Sequence, residues 1–108
     1  MIRLGLVLTL VPGVAMADMQ AQNTRYTCDR DIEVPVVYVN DPDQSLAVLL
    51  VEGGQFLLYA ETAGTGARYS WPSDGSGYVW TTSDAGAMLY WRDGAAGTET
   101  AILACVQQ

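Results

Sequence analysis

The residues best suited to chemistry lie in two segments rich in glycine and hydroxyl side chains. The first segment, residues 61–69, places two glycines around Thr65 and ends in the pair Arg68 and Tyr69. The second, residues 80–86, carries three consecutive hydroxyls followed by a carboxylate. Glycine lets a loop approach another surface closely, and short hydroxyl side chains both donate and accept hydrogen bonds. Each segment is therefore either a binding loop or an ordinary solvated turn, and the residue types alone leave both interpretations open.

The composition excludes several classes of catalyst. The 108 residues include no His and no Lys, and the five basic residues, all Arg, face 12 Asp and Glu, which gives a net charge of −7. Without His or Lys there is no Ser–His–Asp or Cys–His triad, no histidine-ligated metal and no Schiff-base lysine. An acidic surface does not suit nucleic acid but suits a basic protein partner. We therefore expect no enzyme, no cofactor, no metal site and no nucleic-acid partner.

One catalytic alternative uses carboxylates alone. Asp74 and Asp84 lie in neighbouring loops of the sequence. Were they to approach each other, they would resemble the paired acids of a glycoside hydrolase. Carboxylates in turns more often stabilise the turn itself, so the non-catalytic interpretation is favoured.

The first 17 residues have the features of a cleaved secretory signal peptide. Arg3 precedes an apolar run over residues 4–14, and residues 15–17 form an A-x-A cleavage site. The run is too short to cross a bilayer, and no cysteine follows the cleavage point to carry a lipid. We expect residues 1–17 to be removed and residues 18–108 to form one exported periplasmic domain without a membrane anchor. An uncleaved signal anchor is the alternative.

Two cysteines bracket nearly the whole of this domain. Cys28 and Cys105 are even in number, and export would place them in an oxidising compartment, which favours a single disulfide. A ring of that size stabilises a fold by roughly 4–5 kcal/mol in the chain-entropy account. Both cysteines are therefore predicted to be structural.

Short apolar or alternating segments separated by turn signals recur along residues 18–108, as is typical of an all-β fold. No window has a sustained helical period, so almost no helix is expected. Eight short strands joined by hairpins close most simply into a small eight-stranded antiparallel β-barrel, here closed by one disulfide. The predicted strands are 25–28, 32–38, 46–51, 55–60, 67–71, 77–82, 87–91 and 99–105.

Two of these strands carry specific expectations. In the second strand, alternation places Ile32, Val34, Val36 and Tyr38 on one face, while Pro35 favours an edge or a bulge. The third strand is an unbroken apolar run, which predicts either burial on both faces or a place at the centre of the barrel. The short sequence Glu-Gly-Gly that follows it predicts a tight hairpin.

The aromatic residues have two interpretations. They could form a platform on which sugar rings stack, or they could fill the barrel. In so small a barrel most of them are needed inside, so the core is favoured. The set comprises Trp71, Tyr78, Trp80, Tyr90 and Trp91.

A group of short motifs spreads across the domain. These are Y-T-C at 26–28, N-x-P at 40–42, L-L-Y at 57–59, T-G-A-R-Y at 65–69, D-G at 74–75, Y-V-W-T-T-S-D at 78–84 and the late Cys105. In combination they resemble the family of bacterial inhibitors of c-type lysozyme, over roughly residues 26–105. Without an anchor cysteine the chain is similar to the periplasmic branch of that family rather than to its lipid-anchored branch. The resemblance implies an eight-stranded antiparallel barrel, in agreement with the strand count.

The resemblance also implies a function, because members of the family block the active-site cleft of lysozyme with two loops. By position, the serine of the family's first loop corresponds to Thr65, and the lysine and glycine of its second loop correspond to Thr82 and Ser83. The resemblance implies c-type lysozyme as the partner. We expect the chain itself to be a monomer or weak dimer. The expected contact residues are Thr65, Gly66, Arg68, Tyr69, Thr82 and Ser83.

The chain departs from the family pattern in two ways. Thr82 replaces a lysine, and a neutral hydrogen bond is weaker than a charge-assisted one. Residues 71–73 look like an insertion beside the first loop, where they would add an aromatic contact or reshape the loop. A barrel of this family that has lost lysozyme inhibition and serves as an envelope interaction module is therefore the alternative function.

Two expected contact residues have a second interpretation. Arg68 would contact the partner or would brace its loop by pairing with a carboxylate such as Asp74. Tyr69 would contact the partner or would point into the barrel.

Overall fold

Eight strands and one short 3₁₀ turn make up the computed structural model, which describes residues 19–61, 67–84 and 86–108. The turn, Asp29–Asp31, follows the first strand. In chain order the strands are β1 Gln20–Cys28, β2 Glu33–Asn40, β3 Ser45–Val51, β4 Gly54–Ala60, β5 Arg68–Ser70, β6 Gly77–Thr82, β7 Gly86–Asp93 and β8 Thr98–Gln107. None of the helical residues described forms a segment long and apolar enough to cross a membrane.

Every strand pairs with the next one in antiparallel fashion, and β8 pairs back onto β1 to close the barrel. The predicted all-β fold, an eight-stranded antiparallel barrel, is confirmed. The tight hairpin after β3 is confirmed as well: Glu52 and Gly53 both have positive φ, as a two-residue turn between antiparallel strands requires.

The seam between β1 and β8 is short, and the disulfide lies in it. Only three residues of each strand pair across it, at Tyr26–Cys28 and Cys105–Gln107. Cys28 and Cys105 face each other directly in this ladder and are bonded, with Cα atoms 3.9 Å apart. The predicted disulfide is confirmed, and it joins the first and last strands where the ladder is short.

Side chains that alternate along the strands fill the barrel interior. Val34 and Val36 of β2 and Leu49 of β3 are fully or almost fully buried, and their neighbours across the ladder complete the same core. Ile32 is exposed and lies just before β2, which begins at Glu33, so its predicted place within the strand is wrong. Tyr38, at the far end of the inward face of β2, packs against the core as predicted.

The apolar run of β3 is buried on one face only, so the expectation of burial on both faces is wrong. Its buried residues are Ala47, Leu49 and Val51, whereas Leu50 on the outer face of the barrel is exposed. β2 as a whole pairs on both sides and is not an edge strand. Its pairing with β3 begins only at Val36, so Pro35 itself has a strand partner on the β1 side alone, which agrees with the local edge position that a proline favours.

The three tryptophans divide between core and surface. Trp80 is fully buried at the centre of the core, as predicted. Trp71 and Trp91 are exposed, so the prediction of a core position is wrong for both. Both lie at the end of the barrel opposite the two loop segments. At that end the short strand β5 leaves the first half of β4 without a strand partner on that side.

Candidate functional site

The topology brings the two hydroxyl-rich segments to one end of the barrel, here called the loop end. In an antiparallel barrel of hairpins, the ends of β2, β4 and β6 lie together, so the connections over 41–44, 61–67 and 83–85 share that end. Thr65 and Gly66, two of the expected contact residues, lie outside the described residues. The base of the first segment is described, and it is closed by the backbone bond from Glu61 N–H to the Arg68 carbonyl, 2.8 Å.

The base of the first segment is bonded directly to the second. The Thr82 backbone N–H donates to the carbonyl of Ala67 at 3.1 Å, and the Thr82 hydroxyl lies 3.5 Å from the same oxygen. The Thr82 side chain is therefore turned toward the neighbouring loop and is half-buried. Ser83, one residue further on, is exposed at the surface. The bases of the two loops are thus joined by one backbone hydrogen bond and one side-chain contact, both at the Ala67 carbonyl.

A close backbone approach shapes the second loop. The Ser83 N–H donates to the Gly86 carbonyl at 2.9 Å, which closes the turn. A Cβ at Gly86 would stand 2.3 Å from the Cys105 carbonyl oxygen, so a side chain there would collide with the β8 backbone. Gly86 therefore allows the second loop to leave the barrel against β8, next to the disulfide.

Inside the loop end the barrel opens as a polar mouth of about 270 Å³. Among the described residues, its lining consists of uncharged side chains, mostly hydroxyls and carboxamides, and it brings together three of the expected contact residues, Tyr69, Thr82 and Ser83. The full lining is Gln22, Thr24, Tyr26, Tyr38, Asn40, Tyr69, Thr82, Ser83 and Gln107. Such a surface offers hydrogen-bond donors and acceptors without the cost of desolvating a charge.

A chain of hydrogen bonds forms the floor of this mouth. The Trp80 indole N–H donates to the Tyr38 hydroxyl at 2.9 Å, and the hydroxyls of Tyr38 and Tyr26 lie 2.7 Å apart. Burial is the main cause of a strongly raised pKa at Tyr38. Burial raises the pKa of Tyr69 as well, and its ring packs against Tyr38 with centroids 5.7 Å apart. The mouth therefore stays uncharged at neutral pH.

Tyr69 is buried, with only 7% of its surface exposed, so its ring points into the barrel. This agrees with the second of the two interpretations of Tyr69. The ring reaches a partner only through the mouth that it lines.

Arg68 is held in a ring of ion pairs on the outside of the barrel. Its Nε donates to Glu61 at 2.8 Å and its terminal nitrogen pairs with Glu99. Arg92 closes the ring, with distances of 3.1 Å to Glu61 and 3.5 Å to Glu99. The Ser70 hydroxyl also donates to Glu61, at 2.7 Å. Arg68 thus braces the base of the first loop, and its partners are Glu61 and Glu99 rather than Asp74.

The ring shifts the ionisation of its members. Partial burial raises the pKa of Glu61, but hydrogen bonds from Ser70 and Arg68 outweigh it and hold the pKa below the ordinary value. The hydrogen bond from Arg68 lowers the pKa of Glu99, and the bond to Glu99 raises the pKa of Arg68. Glu61, Glu99 and Arg68 therefore keep their charges at neutral pH.

The structure separates the two carboxylates of the hydrolase alternative. Asp84 belongs to the loop end, whereas Asp74 lies in the β5–β6 connection at the other end. The six residues of β6 stand between them, a length of about 20 Å. The paired-carboxylate hypothesis is therefore wrong. Among the described residues, no group of three or more acidic or cysteine side chains is arranged to hold a metal ion.

Residues 71–73 also belong to the far end, so the expectation that they flank the first loop is wrong. β5 runs between them and that loop. Residues 71–73 are close to the first loop in the sequence, but the three residues of β5 carry the chain from one end of the barrel to the other.

Two parts of the site have no signal in the sequence. The ion ring joins residues of β5, β7 and β8 to Glu61, which follows β4, and no local pattern pairs them. The mouth uses the first half of β1, which was not predicted as strand because residues 20–24 are polar. These residues form a strand because they pair with the second half of β2, which no local pattern reveals.

Comparison with known proteins gives concordant matches. The sequence profile of the family described as "Membrane-bound lysozyme-inhibitor of c-type lysozyme" matches residues 26–97. A Cupriavidus necator protein described as "Membrane-bound lysozyme inhibitor of C-type lysozyme" is 35% identical over 72 residues, which are 67% of this chain and 53% of that protein. The chain thus spans about half the length of that relative.

A solved structure is similar across nearly the whole chain. It is Pseudomonas aeruginosa MliC, crystallised in complex with hen egg white lysozyme. The TM-score is 0.63 at 25% sequence identity, and the match covers 91% of this chain and 90% of that one.

Proposed function

The chain belongs to the family of membrane-bound lysozyme inhibitors of c-type lysozyme, and from that premise we propose that it inhibits c-type lysozyme by inserting its two loops into the active-site cleft. The observation that carries the proposal is the shared position of the loops. Both leave the same end of the barrel, and the Thr82–Ala67 bonds fix their bases to each other. Because their bases are joined, the two loops can enter one cleft together at a smaller cost in conformational freedom than two separate segments.

The chemistry of the mouth suits the active site of a glycosidase. Such a site holds two carboxyl groups, one kept protonated and the other ionised. Hydroxyl side chains can accept from the protonated acid and donate to the carboxylate. We propose that Thr65, Gly66 and Ser83 make direct contacts, while Arg68, Tyr69 and Thr82 hold the two loops in place.

The charge of the chain supports a basic partner. The net charge is −7, and loss of Arg3 with the proposed leader would bring it to about −8. A field of this sign accelerates encounter with a basic protein but does not select the site of contact. We propose a periplasmic location after removal of residues 1–17, as in the branch of the family without a lipid anchor.

The test is a cell-wall lysis assay with a c-type lysozyme and increasing concentrations of the purified protein. Inhibition is expected, and Thr65→Ala is expected to weaken it by about tenfold, the effect of losing a hydrogen bond to a charged group. Asp43→Ala, in the neighbouring 41–44 turn, is the control and should inhibit like the unchanged protein. Undiminished lysis at tens of micromolar protein would contradict the proposal and favour the alternative function, an envelope interaction module.

A further inference from the structure

A second cleft opens at the end of the barrel opposite the loops, here called the aromatic end. β5 has only three residues and pairs with β4 at Tyr59–Ser70 and Ala60–Tyr69. The first half of β4 and the start of β6 therefore have no strand between them. The opening forms a cleft of about 340 Å³. This volume falls in the range of about 300–1,000 Å³ that is typical of small-molecule sites.

Aromatic rings line this cleft and hold one another in place. The ring of Tyr78 meets Phe56 edge to face at 4.7 Å and Trp91 at 5.2 Å. The Tyr78 hydroxyl donates to the Glu52 carboxylate at 3.2 Å, which fixes the ring from its other end. Trp71 completes the lining from the β5–β6 connection. A ligand would therefore meet rings that are already ordered, which lowers the entropy cost of binding.

The two indoles of the cleft are unusually accessible. Trp71 is 49% exposed and Trp91 is 42% exposed, although tryptophan is usually among the most buried residues. Exposed aromatic groups gathered at one concave site are typical of binding surfaces rather than of ordinary surface.

The polar groups of the cleft are neutral. Gln55 and Ser76 lie beside the rings, and the Ser76 hydroxyl oxygen accepts from the Gly94 N–H at 2.9 Å, which leaves its own proton free to be donated. The described lining contains no charged side chain, although the chain has 12 acidic residues. A cationic ligand would call for a carboxylate in the lining, and an anionic one for an arginine. A purely apolar ligand would leave Gln55 and Ser76 unpaired.

We propose that this cleft binds a neutral saccharide of one or two pyranose rings. The C–H face of such a ring packs on the exposed indoles of Trp71 and Trp91. The ring hydroxyls exchange hydrogen bonds with the Gln55 carboxamide and the Ser76 hydroxyl. The site is separate from the lysozyme-binding loops, since it lies at the other end of the barrel.

The three tryptophans provide the test, because each gives its own indole N–H signal in a two-dimensional ¹H–¹⁵N NMR spectrum. The probes are chitobiose and cellobiose, two neutral disaccharides, titrated into the purified protein. The Trp71 and Trp91 signals should shift and saturate with a Kd of roughly 1 mM. The Trp80 signal is an internal control and should not move, because its N–H is bonded to Tyr38 in the interior.

Matched variants separate binding from general perturbation. Trp71 lies outside the strands, so its replacement leaves the barrel ladder intact. Trp71→Ala should weaken disaccharide binding by about tenfold, the effect of losing an aromatic contact. Val106→Ala removes another exposed apolar side chain, near the end of β8 and away from the cleft, and should leave binding unchanged. The proposal is overturned if neither disaccharide produces saturable shifts, or if Trp71→Ala binds as tightly as the unchanged protein. A basic peptide that moves the two indole signals when the disaccharides do not would also overturn it.

Discussion

The two ends of the barrel share one core but finish it with different chemistry. At the loop end, the last inward-facing side chains of the strands carry hydroxyl and carboxamide groups, which surround Tyr38 and Tyr69. At the aromatic end, the last inward-facing side chains include aromatic rings such as Phe56 and Tyr78. The loop end is built from connections that a partner can reach, whereas most of the aromatic end is built from side chains of β4, β6 and β7, joined by Trp71 and Ser76 of the β5–β6 connection. The two proposed functions therefore occupy opposite ends of one core, and variants at each end should separate them.

Gly86→Ala is expected to have the largest effect. Because the added Cβ would stand 2.3 Å from the Cys105 carbonyl oxygen, the start of β7 has to move away from β8. Overpacking of this kind destabilises a protein by about 1–3 kcal/mol. Urea denaturation should give this loss, and lysozyme inhibition should fall with it because the second loop is displaced.

Gly77→Ala is the matched control at the aromatic end. Gly77 begins β6 and has no atom within 4 Å of an added Cβ, so the same substitution meets open space. Its free energy of unfolding should change by less than about 1 kcal/mol. Equal losses in both variants would contradict the assignment of the loss at position 86 to the close approach to β8.

Restoring a cation to the second loop should have the next largest effect. Thr82→Lys places an ammonium group where the resemblance implies one, and a charge-assisted hydrogen bond exceeds a neutral one by about 1 kcal/mol. We expect inhibition of lysozyme to tighten by about five- to tenfold. Gln44→Lys adds the same charge at the same end but outside the two loops, and should not tighten inhibition. Equal potency of Thr82→Lys and the unchanged protein would mean that the second loop docks differently.

The strands could be predicted from sequence because turns and alternation are local. The hairpin at Glu52 and Gly53 and the inward face of Val34 and Val36 follow from residue type and a period of two. Leu50 shows the limit of such reasoning. A continuous apolar run does not reveal whether a second layer covers its outer face, and here none does.

The site was less predictable because it depends on register between distant strands. Glu61 meets Arg68 across a loop, but it meets Arg92 only because β5, β6 and β7 align. No spacing along the chain encodes that meeting. The same reason explains why the exposure of Trp71 and Trp91 was missed, since it follows from the shortness of β5.

A smaller effect is expected for Glu61→Gln, which removes the charge shared by Arg68 and Arg92. The ring is partly exposed, and pairs of this kind each contribute about 0.2–1 kcal/mol. We expect a loss of about 1 kcal/mol at pH 7 by urea denaturation. Glu33→Gln is the control, since the Arg25–Glu33 pair stands alone with both side chains more than half exposed, and it should change stability by less than about 0.5 kcal/mol.

The effect of Glu61→Gln should also depend on pH. Because the folded state lowers the pKa of Glu61, the unfolded state takes up its proton first as the pH falls. The stabilisation is therefore complete above the unfolded pKa of about 4.3 and is lost as the pH falls through the lower folded value. The stability difference between the two proteins should shrink between about pH 5 and pH 3. A constant difference over that range would contradict this assignment of the Glu61 charge.

Trp71→Ala is expected to have the smallest effect on inhibition, which makes it the sharpest test of the separation between the two ends. The indole is 49% exposed, and its one ring contact is with Tyr59, with centroids 5.8 Å apart. The length of β5 separates it from the first loop. Potency against lysozyme should therefore stay within about twofold, a change of less than about 0.5 kcal/mol. A clear loss of potency, with unchanged stability in urea, would mean that the contact with lysozyme extends along the barrel wall to the aromatic end.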